Sequence, residues 1–132
     1  MIDGVMYASD GVGLVEAFNP GTGATLWVQQ PFGDEPAGLP GTSTRTIGYS
    51  ADANGKRIYA IRGDYLIALN ATTGEPIANW GSGGRMNLKT GLGPRVTTYG
   101  NSSGPQVCGD VVMTGANMSD RSEVKSQAPG DV

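Results

Sequence analysis

The sequence of 132 residues contains no histidine. Serine-type triads, cysteine–histidine pairs and histidine-ligated zinc sites all need an imidazole, so these three kinds of active site are excluded. The single cysteine, Cys108, cannot form a disulfide within the chain. It stands between Val107 and Gly109 in a short apolar segment, which predicts a buried structural thiol rather than a nucleophile.

Charge and long apolar runs are also scarce. The net charge is −3 and no basic tract occurs, so nucleic acid is not expected as a partner. No apolar run approaches the roughly 18 residues of a membrane span, so no membrane span is expected in this segment. Heptads are absent, and 22 glycines beside only two phenylalanines are typical of a turn-rich β protein.

One segment of the sequence occurs twice. Residues 17–27 contain a small residue, an asparagine, a Thr-Gly pair and an apolar residue, and residues 68–77 repeat them. Each matched residue recurs 51 positions later, as Asn70 follows Asn19. Asparagine can bond the backbone two residues on, and glycine accepts the positive φ of a tight turn. Each copy therefore predicts a strand, a turn and a second strand.

The strands before these turns are repeated as well, in residues 4–8, 56–60 and 110–114. A period near 50 residues that holds several short strands is typical of stacked β-propeller blades. The sequence thus predicts an all-β fold of propeller blades, with repeats near residues 4–27, 56–80 and 109–132. Because the outer repeats are incomplete, we expect a partial propeller domain that is truncated at both ends.

Two long segments separate the repeats and are predicted to be connections. Residues 29–45 hold three prolines and three glycines, and residues 81–104 are rich in glycine. Loops of this length are often binding segments or linkers. The second connection carries Arg85, Lys89 and Arg95, which are interpreted mainly as a solvated loop face.

The first repeated turn resembles the blade signature of the pyrroloquinoline quinone (PQQ) dehydrogenases, Ala-x-Asp-x-x-Thr-Gly-x-x-x-Trp. The matching residues are Ala17, Asn19, Thr22, Gly23 and Trp27. The second copy keeps all but the last spacing, since Trp80 arrives two residues late. Further segments that are similar to family motifs, in the family's order, are residues 45–49, 62–70, 102–105 and 109–112. Residues 81–88 and 129–132 resemble the glucose-dehydrogenase-like branch.

The resemblance implies part of a cofactor site. Carried over by position, the family's arginine for a cofactor carboxylate falls on Arg45, and its threonine for the quinone falls on Ser102. The small polar residue beside the ring falls on Asn117, and the carboxylate that coordinates Ca²⁺ falls on Asp120. These identities suit the chemistry, because a guanidinium grips a carboxylate with two bonds and a hard cation prefers oxygen ligands.

The sequence also departs from the family pattern. The adjacent cysteines of the alcohol-oxidising members are replaced by Leu39-Pro40, and Thr46 follows Arg45 where the family prefers glycine. The family's catalytic aspartate, its remaining metal ligands and the tryptophan beneath the quinone would lie beyond Val132. No catalytic residue is therefore assigned within the chain, and this segment alone is expected to be inactive.

The resemblance implies about two and a half blades of an eight-bladed periplasmic quinoprotein. Such an enzyme would oxidise an alcohol or sugar hydroxyl with PQQ and Ca²⁺ and pass electrons to a quinone or a cytochrome c. The rival hypothesis from another class is a non-enzymatic propeller that serves as a scaffold for protein contacts. A third is a fragment without activity.

Overall fold

A computed structural model of the chain describes residues 1–9, 13–33, 46–94, 100–101 and 103–116. These residues form nine strands in three antiparallel sheets, and they contain no helix. Sheet 1 contains β1 (Met6–Ser9), β2 (Val15–Phe18) and β3 (Thr25–Val28). Sheet 2 contains β4 (Gly48–Asp52), β5 (Gly55–Arg62), β6 (Tyr65–Asn70) and β7 (Arg85–Asn87). Sheet 3 contains β8 (Gln106–Cys108) and β9 (Val111–Met113).

Sheet 2 lies between the other two sheets, and a hydrophobic cluster covers each of its faces. Ile58 and Leu69 belong to the cluster that packs against sheet 1 through Val15 and Trp27. The alternate residues of β5 and β6 belong to a second cluster, which packs against Val107 and its neighbours in sheet 3. Because both faces of a central strand are buried, β5 and β6 are nearly continuous apolar runs.

The two repeated turns have the same hydrogen bonds. The prediction of strand, turn and strand is confirmed in the first copy, whereas the second turn is followed only by an isolated bridge between Leu69 and Pro76. In the first turn, Asn19 N donates to Ala24 O at 2.8 Å and Gly23 N donates to Asn19 O at 2.8 Å. In the second turn, Asn70 and Gly74 repeat both roles at 2.8 Å, and both asparagine side chains accept backbone amides within their turns. The φ angles of Gly23 and Gly74 are 71° and 76°.

Trp27 connects sheet 1 to the second turn. Its indole Nε1 donates to Ala71 O at 3.1 Å, and its ring lies directly over Gly74. The Tyr7 hydroxyl donates to the same carbonyl at 3.1 Å. A tyrosine–tryptophan pair recurs in sheet 2, where the rings of Tyr59 and Trp80 are 5.8 Å apart, against 5.9 Å in sheet 1. The later position of Trp80 in the sequence thus does not prevent the same pairing.

Two expectations from the sequence are wrong, one about a connecting segment and one about the burial of a side chain. Residues 81–104 are not all connection, because Arg85–Asn87 form β7 and pair with the free edge of β6. Cys108 is exposed rather than buried. In sheet 3, Val107 and Val112 face sheet 2, so the alternating side chain of Cys108 points to the opposite face.

Because neighbouring strands run antiparallel, each sheet has a turn end and a connection end. The turn end holds residues 19–24, 53–54, 70–75 and 109–110. The connection end holds residues 29–33, where the first connection begins, and residues 46–47, where it enters β4. It also holds the turn between β5 and β6, and residues 103–105, which lead into β8.

Candidate functional site at the connection end

The segments that lead into β4 and β8 lie side by side at the connection end. Gly104 is buried, and a Cβ atom placed there would collide with the hydroxyl and carbonyl oxygens of Thr46 and lie 2.6 Å from its carbonyl carbon. Two residues after Thr46, a Cβ on Gly48 would lie 3.1 Å from the carbonyl oxygen of Pro105. Two glycines therefore allow the two backbones to approach closely.

Asn101 connects a third segment to this pair. Its side-chain Nδ2 donates to the carbonyl oxygen of Gly115, which lies just beyond β9. Its Oδ1 accepts the backbone N–H of Ser103 at 2.7 Å. One amide side chain thus joins the segment before β8 to the segment after β9.

Arg45, Ser102, Asn117 and Asp120, the four predicted site residues, lie outside the described residues. Their described neighbours in the sequence do come together. Thr46, which follows Arg45, contacts Gly104, which is two residues after Ser102. The bond from Asn101 brings in Gly115, two residues before Asn117. The described sequence neighbours of Arg45, Ser102 and Asn117 therefore lie at one end of the sheets, although they are far apart in the sequence.

Arg85 lies at the same end, between two aromatic rings. Its guanidinium carbon is 5.1 Å from the centre of the Phe32 ring and 4.8 Å from that of Tyr65. Phe32 belongs to the segment that leaves β3, whereas Tyr65 begins β6, so the contact ties the first connection to sheet 2. The interpretation of Arg85 as part of a solvated loop face is wrong. No local sequence signal indicated this contact, because Phe32 is 53 positions away.

Lys89 is also held in place, since its Nζ lies 2.6 Å from the Asp64 carboxylate with about a third of each side chain exposed. The backbone reinforces this contact, because Leu88 N donates to Asp64 O at 2.8 Å. A pair exposed to this degree contributes little to stability, but it fixes β7 to the turn between β5 and β6. Arg95, the third cation of that segment, lies outside the described residues.

Gln29 begins the first connection from a fully buried position, with 1% of its surface exposed. Its side-chain Oε1 accepts the backbone N–H of Val15 at 3.2 Å, and its backbone N–H donates to Val15 O at 2.8 Å. Within the described part of the chain, its side-chain Nε2 makes no hydrogen bond. A buried amide donor of this kind is costly unless it finds an acceptor such as an ordered water.

A cleft of about 420 Å³ lies between sheets 1 and 2 at the turn end, lined by Tyr7, Trp27, Tyr49 and Lys56 among others. Burial raises the pKa of Tyr7 above its ordinary value, and the nearby Tyr49 adds to the effect. The hydrogen bond from Lys56 to Asp3, 2.6 Å long, raises the pKa of that exposed ammonium. The cleft is on the opposite end from the flanks of the predicted site.

Within residues 1–9, 13–33, 46–94, 100–101 and 103–116, no three Cys, Asp or Glu side chains are grouped closely enough to hold a metal ion. The same residues include no helix that is long and apolar enough to cross a membrane. Apart from Arg85 and Lys89, the described donors at the connection end are hydroxyl, amide and backbone groups. Such groups suit the oxygen atoms of an organic ligand better than they suit a cation.

Comparison with known families and proteins gives one positive result. A search of curated proteins found no match. The family model described as the β-propeller domain of glucose, ethanol and alcohol dehydrogenases, a PQQ family, matches residues 1–132. The match therefore confirms the resemblance in the repeated turns and agrees with the all-strand architecture. Because it extends over the full sequence, the chain belongs to the β-propeller domain family of the PQQ-dependent dehydrogenases.

Proposed function

We propose that the chain contributes cofactor and metal contacts to a periplasmic dehydrogenase that oxidises an alcohol or sugar hydroxyl. Family membership implies PQQ as the cofactor. The dependence on Ca²⁺, the substrate class, the compartment and the electron acceptor, a quinone or a cytochrome c, belong to the proposal. The observation that carries it is the contact of Thr46 with Gly104, together with the bond from Asn101 to Gly115, at one end of the sheets.

The donors at this end fit the proposed cofactor. PQQ carries three carboxylates and two quinone oxygens, which all accept hydrogen bonds. Ser103 carries an exposed hydroxyl group beside the contact between Thr46 and Gly104. When bound, PQQ supplies the acceptor for the hydride of the substrate, while the protein supplies binding and orientation.

Each predicted site residue has a role in this proposal. The guanidinium of Arg45 pairs with a cofactor carboxylate through two parallel hydrogen bonds. Ser102 donates to a quinone oxygen, and Asn117 lies beside the ring. Asp120 provides a charged oxygen ligand for Ca²⁺, a cation that prefers such ligands. The proton of the substrate hydroxyl is taken by a base that we do not assign to this chain.

A location-resolved titration tests the proposal. ¹⁵N-labelled chain is titrated with PQQ in the presence of Ca²⁺, and the amide resonances of both ends are followed. We expect shifts at Thr46, Ser103 and Gly104, and none at Gly23 or Gly74 of the turn end. The Arg45→Ala variant should lose roughly 1.5–3 kcal/mol of binding free energy, the typical contribution of a hydrogen bond to a charged group.

The calcium part of the proposal has its own variant. Asp120→Ala should weaken the dependence of PQQ binding on Ca²⁺, because removing a charged oxygen ligand lowers the affinity for a hard cation. Asp110→Ala is the matched control, since Asp110 is also an aspartate after a strand but lies at the turn end. No PQQ-dependent shifts at the connection end, or equal shifts at both ends, would favour the non-enzymatic scaffold instead.

A further inference from the structure

Gly104 is a glycine for reasons of space. Its φ lies outside the left-handed region, so any residue could adopt its backbone conformation. The position that a Cβ would occupy is taken by the Thr46 hydroxyl and carbonyl oxygens, with the carbonyl carbon at 2.6 Å. Thr46 thus occupies the space that a side chain at position 104 would need.

This contact fixes how far apart two segments lie. Gly104 is buried and Pro105 is fully buried, and Pro105 rests against Gly48 on the next strand. The segment entering β4 and the segment entering β8 therefore cannot approach further unless one of them is displaced. The sequence places Arg45 directly before Thr46 and Ser102 two residues before Gly104.

We propose that Thr46 and Gly104 act as a positioning pair that sets the spacing between the two backbone segments that bind PQQ. The inference rests on the proposed function, since the pair matters for binding only if Arg45 and Ser102 contact the same ligand. It also explains the departure at position 46, where the family prefers glycine. The side chain of Thr46 is accommodated because residue 104 has none.

The size of the effect follows from the geometry. Ordinary van der Waals contact begins at 3.4 Å, so a methyl group at position 104 must move the Thr46 carbonyl carbon by about 0.8 Å. Binding sites need their groups held within about 0.5 Å of the productive geometry. A ligand held by both segments should then lose one of its contacts, which is a fall in affinity of about tenfold or more.

Gly104→Ala is the test, and Gly33→Ala is its matched control. Gly33 lies at the same end, has no positive φ, and has nothing within 4 Å of a Cβ placed on it. We expect Gly104→Ala to shift the amide resonances of Thr46 and Ile47 in the absence of ligand. It should also weaken PQQ binding about tenfold, whereas Gly33→Ala should leave both unchanged.

Thr46→Ala provides a second, independent variant. Thr46 is exposed, so removing its hydroxyl should leave the fold intact even if Gly104→Ala does not fold. The single variant should bind PQQ several-fold more weakly because it opens a gap in the pair. In the Gly104→Ala background it should instead recover part of the lost affinity, because it removes the atom nearest to the added methyl group. A direct contact between Thr46 and the ligand would give additive losses.

The outcomes separate two failures. A wild-type chain that shows no PQQ-dependent shift at the connection end overturns the proposed function and this inference together. If the wild-type chain binds PQQ and both Gly104→Ala and Thr46→Ala bind it with an affinity within about twofold of the wild-type value, the inference alone is overturned. Equal weakening in Gly104→Ala and Gly33→Ala, or additive losses in the double variant, also overturns the inference alone.

Discussion

Gly74 and Gly23 form a natural comparison for measuring what Trp27 contributes to the stacking of sheet 1 on sheet 2. Both glycines occupy the same position of the repeated turn, with φ angles of 76° and 71°. Alanine at either position must adopt a left-handed conformation, which costs roughly 1–2 kcal/mol. Only at Gly74 would the new Cβ meet another side chain, 2.7 Å from Cδ2 of Trp27.

The difference between the two variants isolates that contact. Nothing lies within 4 Å of a Cβ on Gly23, so Gly23→Ala should lose only the backbone cost of about 1–2 kcal/mol. At Gly74 the Trp27 indole must move away from its position over the glycine, and overpacking of this kind typically costs a further 1–3 kcal/mol. We therefore expect Gly74→Ala to lose about 2–5 kcal/mol of unfolding free energy in total.

Urea unfolding followed by circular dichroism measures both losses, because the free energy falls linearly with urea concentration. A double-mutant cycle with Trp27→Leu adds a check. In the Gly74→Ala background this substitution should cost less than it does alone, since the clash has already displaced the ring. Equal losses in Gly23→Ala and Gly74→Ala would refute the reasoning, as would a cycle with no coupling.

Three further predictions concern single side chains. Arg85→Met should lower the unfolding free energy by about 1–2 kcal/mol, since it removes contacts with two rings, whereas Lys89→Met should cost no more than about 1 kcal/mol in the same urea titration. Because burial raises the pKa of Tyr7 above 10.0, its neutral form is favoured in the fold, and stability that is present below pH 10 is lost as the pH rises further. Tyr7→Phe should lose about 1 kcal/mol at neutral pH and show a smaller alkaline loss, and a wild-type pH profile in this variant would contradict that assignment. Gln29→Glu should lose several kcal/mol of unfolding free energy at pH 7 and recover stability as the pH falls, because a carboxyl group at a position with 1% exposure resists ionisation. Stability of this variant that does not depend on pH in urea titrations would disprove the prediction.

Local chemistry in the sequence was sufficient to predict the repeated turns and the strands that lead into them. Asparagine caps its own turn and glycine takes the positive φ, and both effects act within six residues. The hairpin between β4 and β5 has local support of the same kind, because Asp52 accepts the N–H of Asn54 at 2.7 Å. The family followed from the order of such motifs.

The candidate site was only partly predictable. Its four residues came from the resemblance alone, and they stay predictions because they lie outside the described residues. The importance of Arg85 and of the pair formed by Thr46 and Gly104 could not be read from the sequence. Phe32 lies 53 positions from Arg85 and Tyr65 lies 20 positions from it, and Gly104 lies 58 positions from Thr46, so no local pattern marks these contacts.

The repeated positions show where sequence and tertiary structure divide. Met6 in β1 and Ile58 in β5 are equivalent in the repeat and both apolar, yet Met6 is 42% exposed and Ile58 fully buried. Tyr59 and Met113 differ in the same way, at 4% and 50%. The sequence by itself determined that these side chains are apolar and alternate along strands. Only the stacking decided which are buried, because a sheet face loses its water only where another sheet lies against it, and sheet 2 alone has a described neighbour on both sides.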